Sequence, residues 1–167
     1  VASLTSIASA SGNPRTGFGR LNAVWTLLRK PDNLNTEEGL RDYFARVFTT
    51  LSGPAYKPSG EELESMLGML GSLHYDPDGT ARQLLAILAS GDRSWQLRRL
   101  AAPSLIIHGT ADPLLPFAAG EETAAVIPGA RLEPVEGMGH EVPAALGRRY
   151  AELVAGNAAR AEPKGGA

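Results

Sequence analysis

An aspartate and a histidine, each placed just after a short apolar run and a glycine, have the strongest potential for chemistry in this chain. Asp112 ends the segment Leu105-Ile-Ile-His-Gly-Thr-Ala-Asp112, and His140 ends Arg131-Leu-Glu-Pro-Val-Glu-Gly-Met-Gly-His140. A carboxylate that orients an imidazole forms two thirds of a nucleophile–histidine–acid system, in which the histidine takes a proton from the nucleophile and later returns it to the leaving group. Because the two residues are far apart in sequence, only a folded sheet can join them.

Each of these residues also has an ordinary structural explanation. Aspartate favours turns, and Asp112 stands directly before Pro113. His140 could cap the start of a helix. The order of the two residues, on consecutive strand–turn units, favours a catalytic pair. Glu136 and Glu141 are alternative acids, but each lies too close in sequence to His140 to orient its ring easily.

The elements that must position the pair lie in residues 99–155, where strands and helices alternate. Residues 104–108 form a nearly all-apolar run, as expected for a strand that is covered on both faces. Residues 117–127 fit a helix, and 131–136 fit a second strand whose Pro134 places it at a sheet edge. Short links between such elements predict a right-handed parallel α/β unit, whose ligands bind beyond the carboxyl ends of the strands. The predicted fold class is therefore α/β.

The rest of the chain divides into three further regions. Residues 1–12 fit a core strand and a turn of small residues, residues 13–98 fit a helical layer, and residues 156–167 fit a flexible tail after a last helix from Pro143 to Gly156. Helix starts are predicted at Thr36, at the capping box Ser59-Gly-Glu-Glu62 and at Asp78. The apolar faces of the first and fourth helices are expected to be buried; they comprise Leu21, Val24, Trp25 and Leu28, and Ala81, Leu84, Leu85 and Leu88.

Composition excludes several classes of protein. The chain has 167 residues and a net charge of -2, which argues against a nucleic-acid partner or an anionic membrane surface. No apolar run approaches the roughly 20 residues of a membrane span. The chain has no cysteine, which excludes disulfides, thiolate metal sites and a cysteine nucleophile, and fits the cytoplasm. The three scattered histidines form no metal-ligand spacing, so no metal is expected, and a nucleophile–histidine–acid system implies no cofactor.

Three further residues are candidates for the substrate site, and the two other histidines are predicted to have no part in the chemistry. Leu114 and Met138 flank it in sequence and are predicted to contact substrate. Trp25 could line an apolar substrate pocket, although a core position is the more common role of such a residue. His108 ends a strand and is predicted to be structural, and His74 is predicted to lie at the surface or in the packing of the helical layer.

The glycine-rich segment Asn13-Pro-Arg-Thr-Gly-Phe-Gly-Arg20 leaves a different function open. It follows the first strand and carries two arginines, so it could cradle a phosphate. It lacks the Lys-Ser/Thr of a P-loop and the third glycine of a dinucleotide fingerprint. Phosphate binding therefore stays an alternative rather than the main hypothesis.

The Asp112 and His140 segments, together with Ile127-Pro-Gly-Ala-Arg131, resemble the C-terminal part of α/β-hydrolases. Ser3-Leu-Thr-Ser-Ile7 and Tyr75-Asp-Pro-Asp-Gly-Thr-Ala-Arg-Gln83 are similar to the capped bacterial esterases that include the aclacinomycin methylesterases. The resemblance implies that the strands are the sixth, seventh and eighth of the hydrolase sheet, and that residues 13–98 are an inserted helical cap. It also implies that Asp112 is the triad acid and His140 the general base, an order that agrees with this fold.

The family's nucleophile elbow, G-x-S-x-G, occurs nowhere in the sequence. The resemblance places it upstream of residue 1, so this chain alone is expected to be inactive. The main hypothesis is a C-terminal fragment of a serine hydrolase that acts on a small carboxylic ester. The alternatives are an aspartate nucleophile, as in dehalogenases and epoxide hydrolases, or a non-catalytic module that binds a partner or phosphate. The expected partners are the missing N-terminal half or a second copy, paired through an exposed strand edge.

Overall fold

A parallel sheet forms the centre of the described structure. The computed structural model describes residues 1–29, 33, 36–70 and 76–161. Within this part of the chain, β1 (Leu4–Ile7), β2 (Ser104–Gly109) and β3 (Arg131–Val135) lie side by side in the order β1-β2-β3. Thr5 lies opposite Leu105 in one ladder, and Ile106 lies opposite Leu132 in the other. The predicted α/β class and the parallel pairing are confirmed.

Burial follows the composition of the strands. Every residue of β2 is buried, as the apolar run predicts for a central strand with both faces covered. Pro134 lies in β3, which among the described strands pairs only with β2, so its missing N–H removes no bond from the middle of the sheet. Both features of this unit were predicted correctly.

Helices cover the sheet, and the helical layer is formed by those that lie between β1 and β2 in sequence. In chain order they are α1 (Leu21–Leu28), α2 (Glu37–Leu51), α3 (Gly60–Leu70), α4 (Pro77–Ser90), the short α5 (Ser94–Leu97), α6 (Phe117–Val126), a 3-10 turn (Ala144–Leu146) and α7 (Gly147–Ala158). α7 continues through Gly156, where its end was predicted. A glycine inside a helix costs only about 1 kcal/mol, and Asn157 in the same turn donates from its side chain to the Leu4 carbonyl at 2.8 Å.

Two of the three predicted helix starts are confirmed. The Thr36 hydroxyl accepts the Gly39 N–H at 3.1 Å. Ser59 and Glu62 form the reciprocal capping box, with bonds of 3.2 and 2.9 Å. The third was wrong by two residues, because Asp76 occupies the N-cap position of α4 and Asp78 lies in its first turn.

The main apolar cluster lies between the sheet and α7. It contains Leu105, Ile107, Val135, Met138 and Tyr150, all buried. Complete burial of one such side chain is worth roughly 1.5–3 kcal/mol, so this cluster is the main source of stability around the ends of β2 and β3. α6 covers the opposite side, where a Cβ added at Gly120 would lie 2.7 Å from the His108 ring.

The apolar faces of α1 and α4 were assigned wrongly. In α1 the one buried residue is Ala23, whereas Leu21, Trp25 and Leu28 are exposed to 87%, 67% and 50%. In α4, Leu85 and Leu88 are also exposed. Helical periodicity shows which residues share a face, but the neighbour that covers the face is a property of the tertiary structure. None of the described helices is both long and apolar enough to cross a membrane.

Polar contacts tie together the two points where the helical layer leaves and rejoins the sheet. The Glu122 carboxylate on α6 accepts hydrogen bonds from the hydroxyls of Ser11, at 2.6 Å, and Ser94, at 3.0 Å. The Arg93 N–H donates to the Ser11 carbonyl at 3.0 Å. These bonds hold both ends of the layer against one helix, and so fix where it begins and ends relative to the strands.

Candidate active site

The acid turn, residues 109–115, holds Asp112 with its side chain completely buried. Asp112 Oδ1 accepts the backbone N–H groups of Leu114 and Leu115, both at 2.8 Å. These two donors compensate the buried negative charge and fix the plane of the carboxylate. Oδ2 therefore points away from the turn, toward the neighbouring strand.

The histidine turn, residues 137–141, follows β3 and brings His140 to the same rim. Gly137 has a φ of 69°, in the left-handed region that glycine adopts without strain. Its N–H donates to the Thr110 hydroxyl at 2.9 Å, and the Ala111 N–H donates to the Met138 carbonyl at 3.0 Å. The two turns are thus bonded to each other.

The close approach of the turns depends on Gly109, the last residue of β2. A Cβ added there would lie 2.2 Å from the Met138 carbonyl oxygen, which no real side-chain carbon tolerates. Glycine at this position lets the two backbones touch. The contact brings the ends of two parallel strands to the separation that the acid and the imidazole require.

His140 Nδ1 lies 2.9 Å from Asp112 Oδ2. A carboxylate can only accept, so Nδ1 carries the hydrogen and donates it, and Nε2 of the neutral ring keeps its lone pair. A quarter of the His140 side chain is exposed, whereas that of Asp112 is not exposed at all. No residue in the described part of the chain hydrogen-bonds Nε2. The arrangement can therefore take up and return a proton at Nε2 of a partly exposed ring that a buried carboxylate orients.

The helical layer contacts both turns. The Arg20 N–H, just before α1, donates to the Pro113 carbonyl at 2.7 Å. The His140 N–H donates to the carbonyl of Leu51, the last residue of α2, at 2.8 Å. These bonds join the helical layer directly to the turns that carry the acid and the imidazole.

Glu141 is a residue whose contribution sequence reasoning missed. Both of its carboxylate oxygens lie 3.1 Å from the Gly53 backbone nitrogen, so the N–H is shared between them. Proximity to His140 ruled Glu141 out as an orienting acid, and the geometry agrees that it instead holds the backbone of the layer. In the sequence, only its position directly after His140 indicated that Glu141 could contribute to the site.

The other predicted contacts of the pair have different outcomes. Leu114 is partly buried and lies in the acid turn, where its N–H supports Asp112. Met138 was predicted to face substrate, but its side chain is fully buried in the apolar cluster and its sulfur accepts the Tyr150 hydroxyl at 2.8 Å. That prediction was wrong, because the side chain packs into the core directly after the turn at Gly137.

The Trp25 side chain is exposed on the helical layer. It lines an open cavity of about 400 Å³ between α1 and α2, together with Arg29, Tyr43 and Arg46 among others. Neither Asp112 nor His140 lines that cavity. The core role weighed for Trp25 is wrong, since its side chain is largely exposed.

The remaining histidines and the glycine-rich segment complete the set. His108 is completely buried, as predicted for a structural residue, and His74 lies outside the described residues. In the glycine-rich segment the N–H groups of Thr16 and Gly17 donate to the Asn13 carbonyl, and that of Arg15 to the Asn13 side chain. These three N–H groups are therefore used within the segment.

Within the described ranges, no group of three or more His, Asp or Glu side chains is arranged to hold a metal ion. Burial raises the pKa of the Tyr150 hydroxyl above its ordinary value of 10.0, and the nearby Tyr56 and Glu141 add to the shift. Tyr150 therefore stays a neutral donor to Met138 beneath the histidine turn.

Solved structures share this fold, although no protein-family profile matches the sequence. The chain is similar to the esterase RhEst1 from Rhodococcus sp. ECU1013, with a TM-score of 0.69, 20% identity, and coverage of 97% of this chain and 57% of that one. It is similar to the esterase EaEST from Exiguobacterium antarcticum, with a TM-score of 0.66, 21% identity, and coverage of 95% and 57%.

A third similar structure is MGS-M2, an α/β hydrolase from a Medee basin deep-sea metagenome library. Its TM-score is 0.67 at 17% identity, with coverage of 97% of this chain and 57% of that one. At these identities the likeness establishes the fold, which is that of a portion of an α/β-hydrolase. The chain spans little more than half the length of the structures it matches.

Proposed function

We propose that this chain supplies the acid and the base of a Ser-His-Asp triad in a carboxylic ester hydrolase, and that the serine comes from a segment upstream of residue 1. The observation that carries the proposal is the 2.9 Å contact between His140 Nδ1 and the buried Asp112 carboxylate, with a quarter of the His140 side chain exposed. Likeness to structures that are esterases by name supports the same class of reaction.

In the proposed reaction His140 Nε2 removes the proton of the serine hydroxyl as the oxygen attacks the ester carbonyl. Asp112 stabilises the imidazolium that forms and does not itself take the proton. The imidazolium then protonates the leaving alkoxide, and the same base activates the water that releases the acid product. Backbone N–H groups of the upstream segment would stabilise the oxyanion. This chemistry uses no cofactor.

The proposal assigns residues 13–98 to a cap over the substrate and Leu114 to the edge of the substrate site. The motifs quoted above favour an esterase of the kind that includes the aclacinomycin methylesterases, acting on a small, mostly apolar ester. β1 lies at an edge of the three-stranded sheet, and we propose that the upstream half pairs with this edge. A cytoplasmic location, inferred from the absence of cysteine, belongs to the same proposal.

The test is reconstitution. Hydrolysis of p-nitrophenyl esters is measured for the chain alone, for the chain with the polypeptide encoded immediately upstream of Val1, and for that pair carrying His140→Ala. We expect activity in the second case only. Activity of the isolated chain refutes the assignment of the nucleophile, and full activity of the His140→Ala pair refutes that of the base. An upstream elbow with aspartate in place of serine, together with dehalogenation or epoxide hydrolysis, would favour the aspartate-nucleophile alternative.

A further inference from the structure

We propose that His108 is a positioning residue for the Asp112–His140 pair: its Nε2–H, held by the Leu115 carbonyl, fixes the Asp112 carboxylate from the buried side. The inference rests on the proposed function for its effect on catalysis, whereas the geometry can be tested without any activity.

The first observation is the position of the His108 ring beneath Asp112. The ring is completely buried, and its Nε2 lies 2.9 Å from the Leu115 carbonyl oxygen and 3.5 Å from Asp112 Oδ2. A carbonyl only accepts, so Nε2 carries the hydrogen. Nε2 thus lies near Asp112 Oδ2, the same carboxylate oxygen that His140 Nδ1 contacts.

The second observation is that His108 is linked to the Asp112 carboxylate through Leu115 as well as by its 3.5 Å contact with Oδ2. Leu115 accepts from His108 through its carbonyl and donates through its own N–H to Asp112 Oδ1 at 2.8 Å. Loss of the His108 bond therefore frees the Leu115 backbone that orients Oδ1. It also removes the His108 N–H group that lies near Oδ2. Hydrogen bonds linked in this way are expected to strengthen one another in a buried site.

The third observation is that the packing leaves this ring one protonation pattern. His108 Nδ1 is buried without a hydrogen-bond partner in the described part of the chain. A hydrogen there would be a buried, unsatisfied donor, which costs more than an unused lone pair. Gly120 on α6 lies close against the ring, since a Cβ added at that position would be 2.7 Å from Nδ1. The ring is thus held with Nε2–H facing the acid turn.

Two amide substitutions that place the donor at different positions separate positioning from simple filling of space. In His108→Gln the side-chain nitrogen takes the place of Nε2 and keeps the donor. In His108→Asn it takes the place of Nδ1, and the donor facing Leu115 is lost. Both variants bury one neutral amide, and Asn is shorter by one methylene. A purely structural role therefore predicts a difference in stability without a difference in the His140 tautomer ratio.

The readout is the tautomer of the neutral imidazoles, taken from long-range ¹⁵N–¹H spectra of the labelled chain. In the wild type we expect His108 with hydrogen on Nε2 and His140 with hydrogen on Nδ1. The His140 ratio of Nδ1–H to Nε2–H should stay within about twofold in His108→Gln and fall roughly threefold to tenfold in His108→Asn, as expected for the loss of one or two hydrogen bonds.

Equal His140 ratios in the two folded variants overturn the proposal. Hydrogen on His108 Nδ1 in the wild type overturns it as well, and this measurement decides the matter if His108→Asn does not fold. When the upstream polypeptide is added, the Asn variant should lose kcat with little change in KM. Expected tautomers without any ester hydrolysis would count against the proposed function and leave the positioning role intact.

Discussion

Replacing Asp112 with asparagine changes the chemistry of the acid while keeping its shape. Asp112 Oδ1 accepts two backbone N–H groups, so the asparagine carbonyl oxygen must occupy that position. The amide NH₂ then faces His140 Nδ1 in place of the acceptor Oδ2. Two donors cannot pair, so Nδ1 must give up its hydrogen and the neutral ring must carry it on Nε2. The base then has no lone pair to offer the nucleophile.

The expected loss of kcat follows from this change of tautomer. Holding a catalytic histidine in the wrong tautomer lowers kcat by about 10⁴ in the well-studied serine protease case, so a loss of roughly 10³–10⁴ is expected here. A loss of that size corresponds to about 4–5.5 kcal/mol of transition-state stabilisation. Substrate binding should change far less, because the buried Asp112 side chain is not exposed to a ligand.

The assay has two parts. Spectra of the labelled chain should show the His140 hydrogen on Nδ1 in the wild type and on Nε2 in Asp112→Asn. Ester hydrolysis by the reconstituted pair should fall by the stated factor in kcat. Asp42→Asn, an exposed change on α2, is the matched control and should leave both readouts unchanged. An Asp112→Asn protein that keeps Nδ1–H, or that retains more than about a third of the wild-type kcat, refutes the reasoning.

Three further predictions concern stability. Gly109→Ala should destabilise the chain by more than about 2 kcal/mol in urea unfolding, because the added Cβ would lie 2.2 Å from a carbonyl oxygen of the histidine turn. The control Gly68→Ala, in open space on α3, should stabilise the chain by roughly 0.5–1 kcal/mol. Equal effects of the two substitutions contradict this reasoning. Glu141→Ala should lower stability by about 1 kcal/mol, because the Gly53 N–H loses its acceptor. Glu141→Gln keeps an acceptor and should recover most of the loss. Equal stability of the two variants contradicts the role of Glu141 as that acceptor. The raised Tyr150 pKa contributes stability that is fully present below pH 10.0 and is lost as pH rises through the pKa of the folded state. The wild type should therefore lose more stability than Tyr150→Phe between pH 9 and 11. Parallel profiles of unfolding free energy against alkaline pH contradict this prediction.

Local interactions made part of this protein predictable from sequence. The capping box of Ser59 and Glu62 joins residues three positions apart, so its hydrogen bonds depend on little beyond their own turn. The buried strand β2 follows from an apolar run that tolerates cover on both faces. The meeting of Asp112 and His140 was also predicted, since parallel strands that are neighbours must end at the same rim.

Contacts between distant segments were decided only by the tertiary structure. Periodicity placed Trp25 on an apolar face, yet nothing within α1 specifies which surface covers that face, and the side chain is exposed. Met138 lies two residues from the catalytic candidate, yet its side chain points into the core. The bonds of His108 to the acid turn and of Glu141 to Gly53 join positions whose distance is set by the packing of sheet, turn and helix. Sequence determines which groups can form hydrogen bonds and which faces avoid water, and the folded arrangement selects the partners.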